Sequence, residues 1–493
     1  MRQPVSNPRP LGLRLLALLA PRLFANSELG GSRPASADLV GKWHLGHNAP
    51  YHPSFRGFRT FYGLPFSGDM GCLDATPQGC VDALDANRSQ GEPACPALCS
   101  RDSAPARHDL YGTAVPLYDT TGPNCSGHAS CDGDIIEQPI EPMSLNRRFT
   151  QRAIALLARY RRDGRARTSS LRAPFLLYVA FAHTHTPLAY DGRFANASTR
   201  SARVFGNTLA ELDHGIGELT EALERFALAA DTLVFVLSDN GPADLPRAPC
   251  AAIGSPGPYV GEWQRQVAGG GGGGTCKATS WEGGHRVMGA AVWEGRIAPG
   301  RVSHALVSSL DILPTVAALS GVALPDDRSY DGVDLSELLL HGGAHAHRTL
   351  FHPEVSEPSW PSPSVPAMRL GRYKAFFVTA SPGSCHLPDG TPRHGGPTRR
   401  IAHDPPLVFD LSDDPGESEP LDTSTLSDEL AAMRSAMRAF WTDVNKTMRS
   451  ATDYSEDWSA RPCANALSSC CRLDARAASA VPRARHTSIE QSS

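Results

Sequence analysis

The sequence predicts an α/β fold with a largely parallel sheet, and three observations support this fold class. Two continuous apolar runs, residues 175–181 and 233–237, are typical of strands that are covered on both faces. Between these runs, apolar residues recur at steps of three and four over 209–226, which indicates an amphipathic helix. Strands that alternate with helices favour parallel sheets. With 493 residues, the chain is long enough for a large domain and a smaller one.

The remaining elements are predicted from the same kinds of pattern. Further helices are predicted over 144–161, over 308–319 and from Leu426 onwards, and further strands over 287–293, 368–379 and 407–411. The apolar face of the last helix is predicted to consist of Leu430, Met433, Met437 and Phe440. Glycine and proline residues over 40–62 predict loops. Six cysteines lie within 71–135, which we expect to be an excursion braced by disulfides.

The charge and the apolar content exclude two classes of protein. The chain has 47 basic and 51 acidic residues and a formal net charge of −4, so charge gives no case for nucleic-acid binding. No apolar run approaches the length of a membrane span. A short apolar run at 15–20, preceded by arginines, is a weak signal-peptide pattern.

Cysteines and glycosylation motifs favour an oxidising, secretory compartment. The chain has twelve cysteines, and zinc binding is the alternative explanation, but no CxxC pair recurs at the spacing of a zinc finger. Four N-x-S/T motifs begin at Asn87, Asn124, Asn196 and Asn445. Each motif is a candidate glycosylation site.

Polar clusters follow the two buried strands, at the end of a parallel sheet where ligands bind. Asp239 and Asn240 follow the strand over 233–237 and offer the hard oxygen ligands that Ca²⁺ or Mg²⁺ prefers. Asp-Asn-Gly-Pro is also good turn chemistry, so a plain turn is the alternative. His183 and His185 follow the strand over 175–181. They could be zinc ligands, or loop histidines that are hydrogen-bonded to the backbone.

The segment Gly-Lys-Trp-His-Leu-Gly at 41–46 places an ammonium group and an imidazole two residues apart. In an extended segment Lys42 and His44 would point to the same side and could bind one small anion. The alternative is a solvated lysine beside a core histidine.

Six glycines at 269–274 lack the ending of a phosphate-binding loop, and we expect a flexible loop there.

Together, these side chains are what a site for a charged tetrahedral oxyanion needs. The candidates are Lys42, His44, Ser67, His185, Asp239, Asn240 and Lys277. Lysines and a metal ion would neutralise the anion, and histidines would transfer protons to or from the leaving oxygen. The residues alone leave sulfate and phosphate esters as open alternatives.

The order and spacing of the motifs resemble the arylsulfatase family. The motifs are GKWHLG at 41–46, PFSGD at 65–69, HTHTP at 183–187, SDNGP at 238–242, SWEGGHR at 280–286 after Lys277, DILPT at 311–315 and DGVD at 331–334. Shorter stretches, such as LFHP at 350–353 and YKAF at 373–376, most resemble the arylsulfatase G branch, with arylsulfatase A second.

The resemblance implies four parts of the chain. Residues 40–345 would form an alkaline-phosphatase-like α/β sulfatase domain that lacks its N-terminal part. Residues 346–460 would form a smaller α+β domain with an antiparallel sheet, and 461–493 a partly disordered tail that contains cysteines. Residues 1–39 do not resemble the family.

The resemblance also implies an activity and a role for each site residue. The chain would be a lysosomal or secreted sulfuric ester hydrolase that acts on aryl sulfates or on sulfated glycosaminoglycan such as heparan sulfate. The sulfate would be bound by Lys42, Ser67, His185 and Lys277. His44 would assist the nucleophile, and His185 would protonate the leaving oxygen. One Ca²⁺ ion would be bound by Asp239 and Asn240.

The sequence departs from the family at the nucleophile. The family uses formylglycine, which is made from the cysteine of a Cys-x-Pro/Ala-x-Arg motif. None of the twelve cysteines begins this motif, and Cys95-Pro-Ala-Leu-Cys99 has a proline one place early and no arginine. The family's adjacent acidic Ca²⁺ ligands are also absent from the start of this sequence, so the Ca²⁺ ligand set would be incomplete. The alternative is therefore a catalytically inactive protein with the sulfatase fold.

Overall fold

The computed structural model describes fourteen ranges of the chain, which form two compact units. The ranges are 14–16, 36–46, 51–68, 115–120, 135–165, 174–185, 188–198, 203–242, 254–267, 275–277, 279–343, 346–354, 364–380 and 400–447. The described part of the first unit lies within 12–199 and 206–229. That of the second unit lies within 200–205 and 230–454.

The first unit contains a mixed sheet whose central strands are parallel. Its strands are β1 (Arg14–Leu16), β2 (Ser36–Lys42), β3 (Thr60–Leu64), β4 (Leu117–Asp119), β5 (Ile135–Glu137) and β6 (Phe175–Ala180). Within this unit the strand order is β5-β4-β3-β2-β6-β1. Strand β2 is parallel to β3 and β6, and β1 is parallel to β6, whereas β4 and β5 add antiparallel strands at the edge. Helices α1 (Leu145–Arg165) and α2 (Arg203–Arg225) confirm both helices predicted for this region.

The prediction of loops over 40–62 is wrong at both ends of that range, which lie in β2 and β3. Gly41, within that range, and Gly63, just after it, are positions where strands approach closely. Gly41 has a φ of +116°, and a Cβ atom there would meet the Ala180 carbonyl oxygen at 1.9 Å. A Cβ atom at Gly63 would meet the Gly41 carbonyl oxygen at 1.8 Å. Glycine is therefore required where β2, β3 and β6 lie side by side.

A buried carboxylate holds the first half of β2. Asp38 is fully buried, and its oxygens accept hydrogen bonds from Arg59 at 2.8 Å and Thr60 at 2.5 Å, and one from the Tyr160 hydroxyl. Burial raises the pKa of Tyr160 well above its ordinary value, and the charge of Asp38 adds to this effect. The phenol therefore stays protonated as a donor to Asp38.

We expect Asp38→Asn to lower the free energy of unfolding by about 2–4 kcal/mol, because the fully buried carboxylate that pairs with the partly exposed Arg59 and accepts from Thr60 and Tyr160 loses its charge. Urea unfolding followed by circular dichroism measures the change. The matched control is Asp327→Asn, which breaks a surface ion pair with Arg328 and should cost less than about 1 kcal/mol. Equal effects of the two substitutions would contradict a structural role for Asp38.

Within its described residues, the second unit combines a strand pair, a four-stranded sheet and five α-helices. The strands are β7 (Thr232–Leu237), β8 (Gly289–Val292), β9 (Thr349–Glu354), β10 (Ser364–Leu370), β11 (Tyr373–Ala380) and β12 (Arg400–Asp410). The helices are α3 (Glu262–Val267), α4 (Glu282–His285), α5 (Ile312–Ser320), α6 (Ser336–His341) and α7 (Ser427–Thr447). Strands β9 to β12 are antiparallel in the order β12-β11-β10-β9, which confirms the predicted C-terminal antiparallel sheet.

Helix α7 covers one face of this sheet as its apolar pattern predicts. Met433 is fully buried, and Leu430 and Met437 pack with it against the core that includes Met368 and Val408. The single strand predicted over 368–379 is instead two strands, β10 and β11. They are joined by a tight turn in which Gly371 has a φ of +57°. Among the described residues, no helix is both long and apolar enough to cross a membrane.

Candidate active site

The carboxyl ends of β2 and β3 bring a lysine and a serine together. Lys42 is the last residue of β2 and pairs with Leu64 at the end of β3. The chain then turns, so that Lys42 Nζ donates a hydrogen bond to Ser67 Oγ at 3.1 Å. The Ser67 side chain is almost completely buried. These two candidates, which are 25 residues apart in sequence, thus form one polar pair.

This pair opens onto a cleft of the first unit, and two candidate histidines line the same cleft. The lining residues are Lys42, Leu64, Ser67, Gly68, Ile140, Pro142, Leu145, Ala182, His183, His185 and Ala189. The polar groups come from the ends of β2, β3 and β6, and the apolar wall comes from the residues around the start of α1 and from the segment after β6. A small cleft with a few convergent polar groups and an apolar wall is typical of a ligand site.

His183 has a carboxylate partner rather than a metal environment. Its Nε2 atom lies 3.0 Å from Glu211 Oε2, and the side chains of both residues are buried. Within the described part of the chain there is no group of three or more His, Cys, Asp or Glu residues that could hold a metal ion. Of the two sequence interpretations, the hydrogen-bonded loop histidine describes His183 better than the zinc ligand, although its partner is a side chain.

The backbone at His44 differs from the extended segment on which its pairing with Lys42 was based. Strand β2 ends at Lys42, and His44 has a φ of +55°, in the left-handed region that residues other than glycine rarely adopt. His44 is exposed, and its backbone N–H donates to the Pro65 carbonyl oxygen at 3.1 Å. Because the extended geometry ends before His44, the rule that residues two apart share a side does not apply to it.

The second unit brings the candidate metal ligands and Lys277 close together. Asp239 and Asn240 follow β7, and Asp239 Oδ1 accepts a hydrogen bond from the Asn240 backbone N–H at 2.9 Å. Two residues on, the Pro242 carbonyl oxygen accepts a hydrogen bond from the Lys277 N–H at 2.9 Å. The loop lies against the start of α4, since a Cβ atom at Gly241 would meet the Gly283 carbonyl oxygen at 1.8 Å. The loop that carries SDNGP and the segment that carries Lys277 therefore lie next to each other.

A buried ion cluster lies at the start of α4, next to this loop, and the sequence pattern did not predict it. Lys374 on β11 is fully buried, and its Nζ atom lies 2.9 Å from Glu282 Oε1 and 2.9 Å from Glu417 Oε1. Glu417 Oε2 also accepts a hydrogen bond from the Glu282 backbone N–H at 2.8 Å, at the start of α4. The signal in the sequence was a lysine within the otherwise apolar strand pattern of 373–378.

The pKa values of the two carboxyl groups in this cluster are shifted in opposite directions. Burial raises the pKa of Glu282, but the charge and hydrogen bond of Lys374 outweigh burial and, with two nearby arginines, hold the pKa below its ordinary value. Burial raises the pKa of Glu417 above its ordinary value, and the nearby Glu282 adds to this despite Lys374. Burial also lowers the pKa of His285 and lowers that of His352 well below its ordinary value. Both histidines are therefore neutral at neutral pH.

Several predicted residues lie outside the described part of the chain. They include Asn87, Asn124 and the cysteines of the predicted excursion. Cys276 is buried. Asn196 is exposed in a loop, as a glycosylation site requires.

Comparison with known proteins identifies the family. The Sulfatase family matches residues 36–322, and the C-terminal region of aryl-sulfatase matches residues 345–477. The chain is 36% identical over 443 residues to arylsulfatase G of Homo sapiens, which covers 89% of this chain and 74% of that relative. It is 35% identical over 401 residues to arylsulfatase A of Homo sapiens, which covers 80% of this chain and 65% of that relative.

A solved structure agrees with these matches at the level of the fold. The PsFucS1 sulfatase from Pseudoalteromonas sp. superposes with a TM-score of 0.61 at 21% identity, covering 84% of this chain and 72% of that one. The two family matches together span most of both described units. The chain therefore belongs to the sulfatase family, and its arylsulfatase relatives are sulfuric ester hydrolases.

Proposed function

We propose that this chain acts on sulfate esters in the cleft that Lys42, Ser67 and His185 share. The observation that carries the proposal is the 3.1 Å contact between Lys42 Nζ and Ser67 Oγ within that cleft. Lys42 supplies a positive charge for the sulfate group. Because the Ser67 oxygen accepts from Lys42, its hydroxyl hydrogen remains available to donate to a sulfate oxygen. In hydrolysis, an oxygen from water bonds to sulfur as the S–O ester bond breaks, and His185 protonates the leaving ester oxygen.

The other candidates complete this proposal. By the family resemblance, Lys277 would also bind sulfate, and His44 would assist the nucleophile. Formylglycine, when present in the family, supplies the attacking oxygen, but the cysteine motif that forms it is absent from these 493 residues. The residues named here therefore account for ester binding and for protonation of the leaving group, and no attacking group is assigned to this chain.

The test is hydrolysis of an aryl sulfate by the full chain, produced together with a formylglycine-generating enzyme. We expect release of 4-nitrocatechol from its sulfate ester at acid pH, with loss of turnover in His185→Ala. A preference for 4-nitrophenyl phosphate over the sulfate would contradict the proposal. Saturable binding of the sulfate without turnover would instead identify the non-catalytic alternative.

The natural substrate and the compartment are part of the same proposal. Aryl sulfates are supported by the names of the relatives, and Ile140, Pro142 and Leu145 give the cleft an apolar wall. Sulfated glycosaminoglycan such as heparan sulfate is the larger substrate that we propose. The twelve cysteines and the exposed Asn196 support a lysosomal or secreted protein.

Asp239 and Asn240 have the chemistry of a Ca²⁺ half-site. Both offer oxygen ligands, and the Asn240 Nδ2 group donates to the Gly241 carbonyl oxygen at 2.8 Å, so its own side-chain oxygen is oriented away from that contact. Their side chains supply at most three oxygens, whereas Ca²⁺ takes about six to eight. The two residues therefore fit part of a site. Further oxygens must come from substrate, water or other groups.

We expect Asp239→Ala to weaken Ca²⁺ binding by at least about tenfold, because it removes the charged ligand of this half-site. Calorimetric titration with CaCl₂ measures the affinity. The control, Asp327→Ala, removes an exposed carboxylate elsewhere in the second unit and should leave the affinity unchanged. Equal Ca²⁺ affinities of Asp239→Ala and the unmodified chain would exclude the half-site.

A further inference from the structure

One buried carboxylate contacts both ends of the segment that carries His185. Glu211 Oε2, on α2, lies 3.0 Å from His183 Nε2. The same oxygen accepts a hydrogen bond from the backbone N–H of Asp191 at 3.1 Å. The exposed fractions of the Glu211 and His183 side chains are 2% and 6%, so water screens this contact little. His185, which lines the cleft, lies between these two contacted residues in the sequence.

Glu211 is itself fixed against α1. Its backbone carbonyl oxygen accepts a hydrogen bond from Asn146 Nδ2 at 2.9 Å, and Thr150 Oγ1 donates to the Asn146 carbonyl oxygen at 2.9 Å. The second contact of Glu211 is also anchored, because the Asp191 carboxylate accepts a hydrogen bond from Arg147 Nε at 3.3 Å. The backbone at Glu211 and the Asp191 side chain are thus both hydrogen-bonded to residues of helix α1.

The arrangement is costly if it serves stability alone. Glu211 Oε1 is buried and has no hydrogen-bond partner within the described residues. A buried carboxylate with half of its acceptor capacity unused stabilises a fold less than an apolar side chain of the same size. Such an under-satisfied group is better explained by a role in holding a site.

We propose that Glu211 is a positioning residue for the sulfate cleft, which clamps both ends of the segment from His183 to Asp191 and so places His185. The proposal rests on the proposed function, since it concerns the same cleft. The contact between Glu211 Oε2 and His183 Nε2 fixes the orientation of that ring at the cleft wall. His183 in turn holds the start of the turn in which the His185 N–H donates to the Ala182 carbonyl oxygen at 3.0 Å.

The test compares Glu211→Ala with Glu211→Gln, because the glutamine oxygen can still accept both hydrogen bonds. Calorimetric titration with inorganic sulfate measures the affinity of the cleft for sulfate. We expect the dissociation constant to rise about tenfold in Glu211→Ala and to stay within about threefold of the unmodified chain in Glu211→Gln. Amide hydrogen exchange measures how firmly Glu211 holds the backbone of this segment. We expect faster exchange at the amides of His185 and Asp191 in Glu211→Ala only.

Asp38→Asn is the matched control, since it alters another buried carboxylate of the same unit that does not line the cleft. It should lower stability while it leaves sulfate affinity unchanged. Equal loss of sulfate affinity in Asp38→Asn and Glu211→Ala would show that affinity follows stability, and would overturn the proposal. Unchanged exchange at His185 in Glu211→Ala would overturn it as well. If the unmodified chain binds no sulfate, the proposed function fails. The exchange measurement still tests whether Glu211 holds the backbone at His185 and Asp191.

Discussion

Replacing Lys374 with methionine is expected to lower the free energy of unfolding of the second unit by about 3–5 kcal/mol, the usual cost of breaking a buried ion pair from one side. The substitution leaves Glu282 and Glu417 buried without their shared cation, each of them 2.9 Å from the lost Nζ atom. Methionine has a similar length, so the loss of packing is small. Thermal or urea unfolding measures the effect.

The pH dependence of this effect follows from the two carboxyl groups. In the unmodified chain the pKa of Glu282 is lowered, so its contribution to stability is present above its ordinary pKa and is lost as the pH falls. In Lys374→Met the unpaired carboxyl groups take up protons more readily in the folded state than in the unfolded state. The difference between the two proteins should therefore shrink as the pH is lowered.

A compensated variant separates charge from packing. Lys374→Met combined with Glu282→Gln and Glu417→Gln removes all three charges, and should recover much of the stability that Lys374→Met loses. The control is Arg372→Met in the turn that precedes β11, whose side chain is exposed and pairs with Asp410 at 3.2 Å. We expect no measurable loss in this control. A triple variant that is no more stable than Lys374→Met would contradict the electrostatic explanation.

Replacing Lys42 with methionine is expected to weaken sulfate binding by about 100-fold, in the range found when a charged or oxyanion-binding donor is removed from a site. The variant removes the positive charge and the donor to Ser67, and it keeps most of the side-chain volume. Calorimetry with inorganic sulfate measures the loss.

The control for Lys42 is Lys446→Met, which removes an exposed lysine from α7 in the second unit. It should leave the sulfate affinity unchanged, since Lys446 does not line the cleft and the substitution changes the net charge by the same amount. Equal weakening by both substitutions would show that sulfate responds to overall charge. That outcome would exclude a specific role for Lys42.

The sequence predicted the elements whose pattern is continuous. Strand β6 and helix α2 were found because apolar residues in them follow one period without interruption. Strands β2 and β3 were missed because Gly41 and Gly63, which look like loop signals, are required for close approach between strands. The break between β10 and β11 was missed because a single glycine, Gly371, makes the turn.

The site was predicted in part, for a similar reason. Lys42, Ser67 and His185 share a cleft because β2, β3 and β6 are neighbours and each residue follows or ends a strand. His44 departs from the expected geometry because its backbone is left-handed, which no pattern of residue types showed. Glu211 was hidden among the polar positions of an amphipathic helix, where most glutamates are solvated.

The most direct test of the central claim follows the ring nitrogens of His185 in ¹H–¹⁵N spectra while 4-nitrophenyl sulfate is added. We expect a saturable change at His185 that is absent in Lys42→Met, while His403, which contacts Thr379 in the second unit, does not change. Binding of the sulfate ester with no change at His185, or with the same change in Lys42→Met, would contradict it.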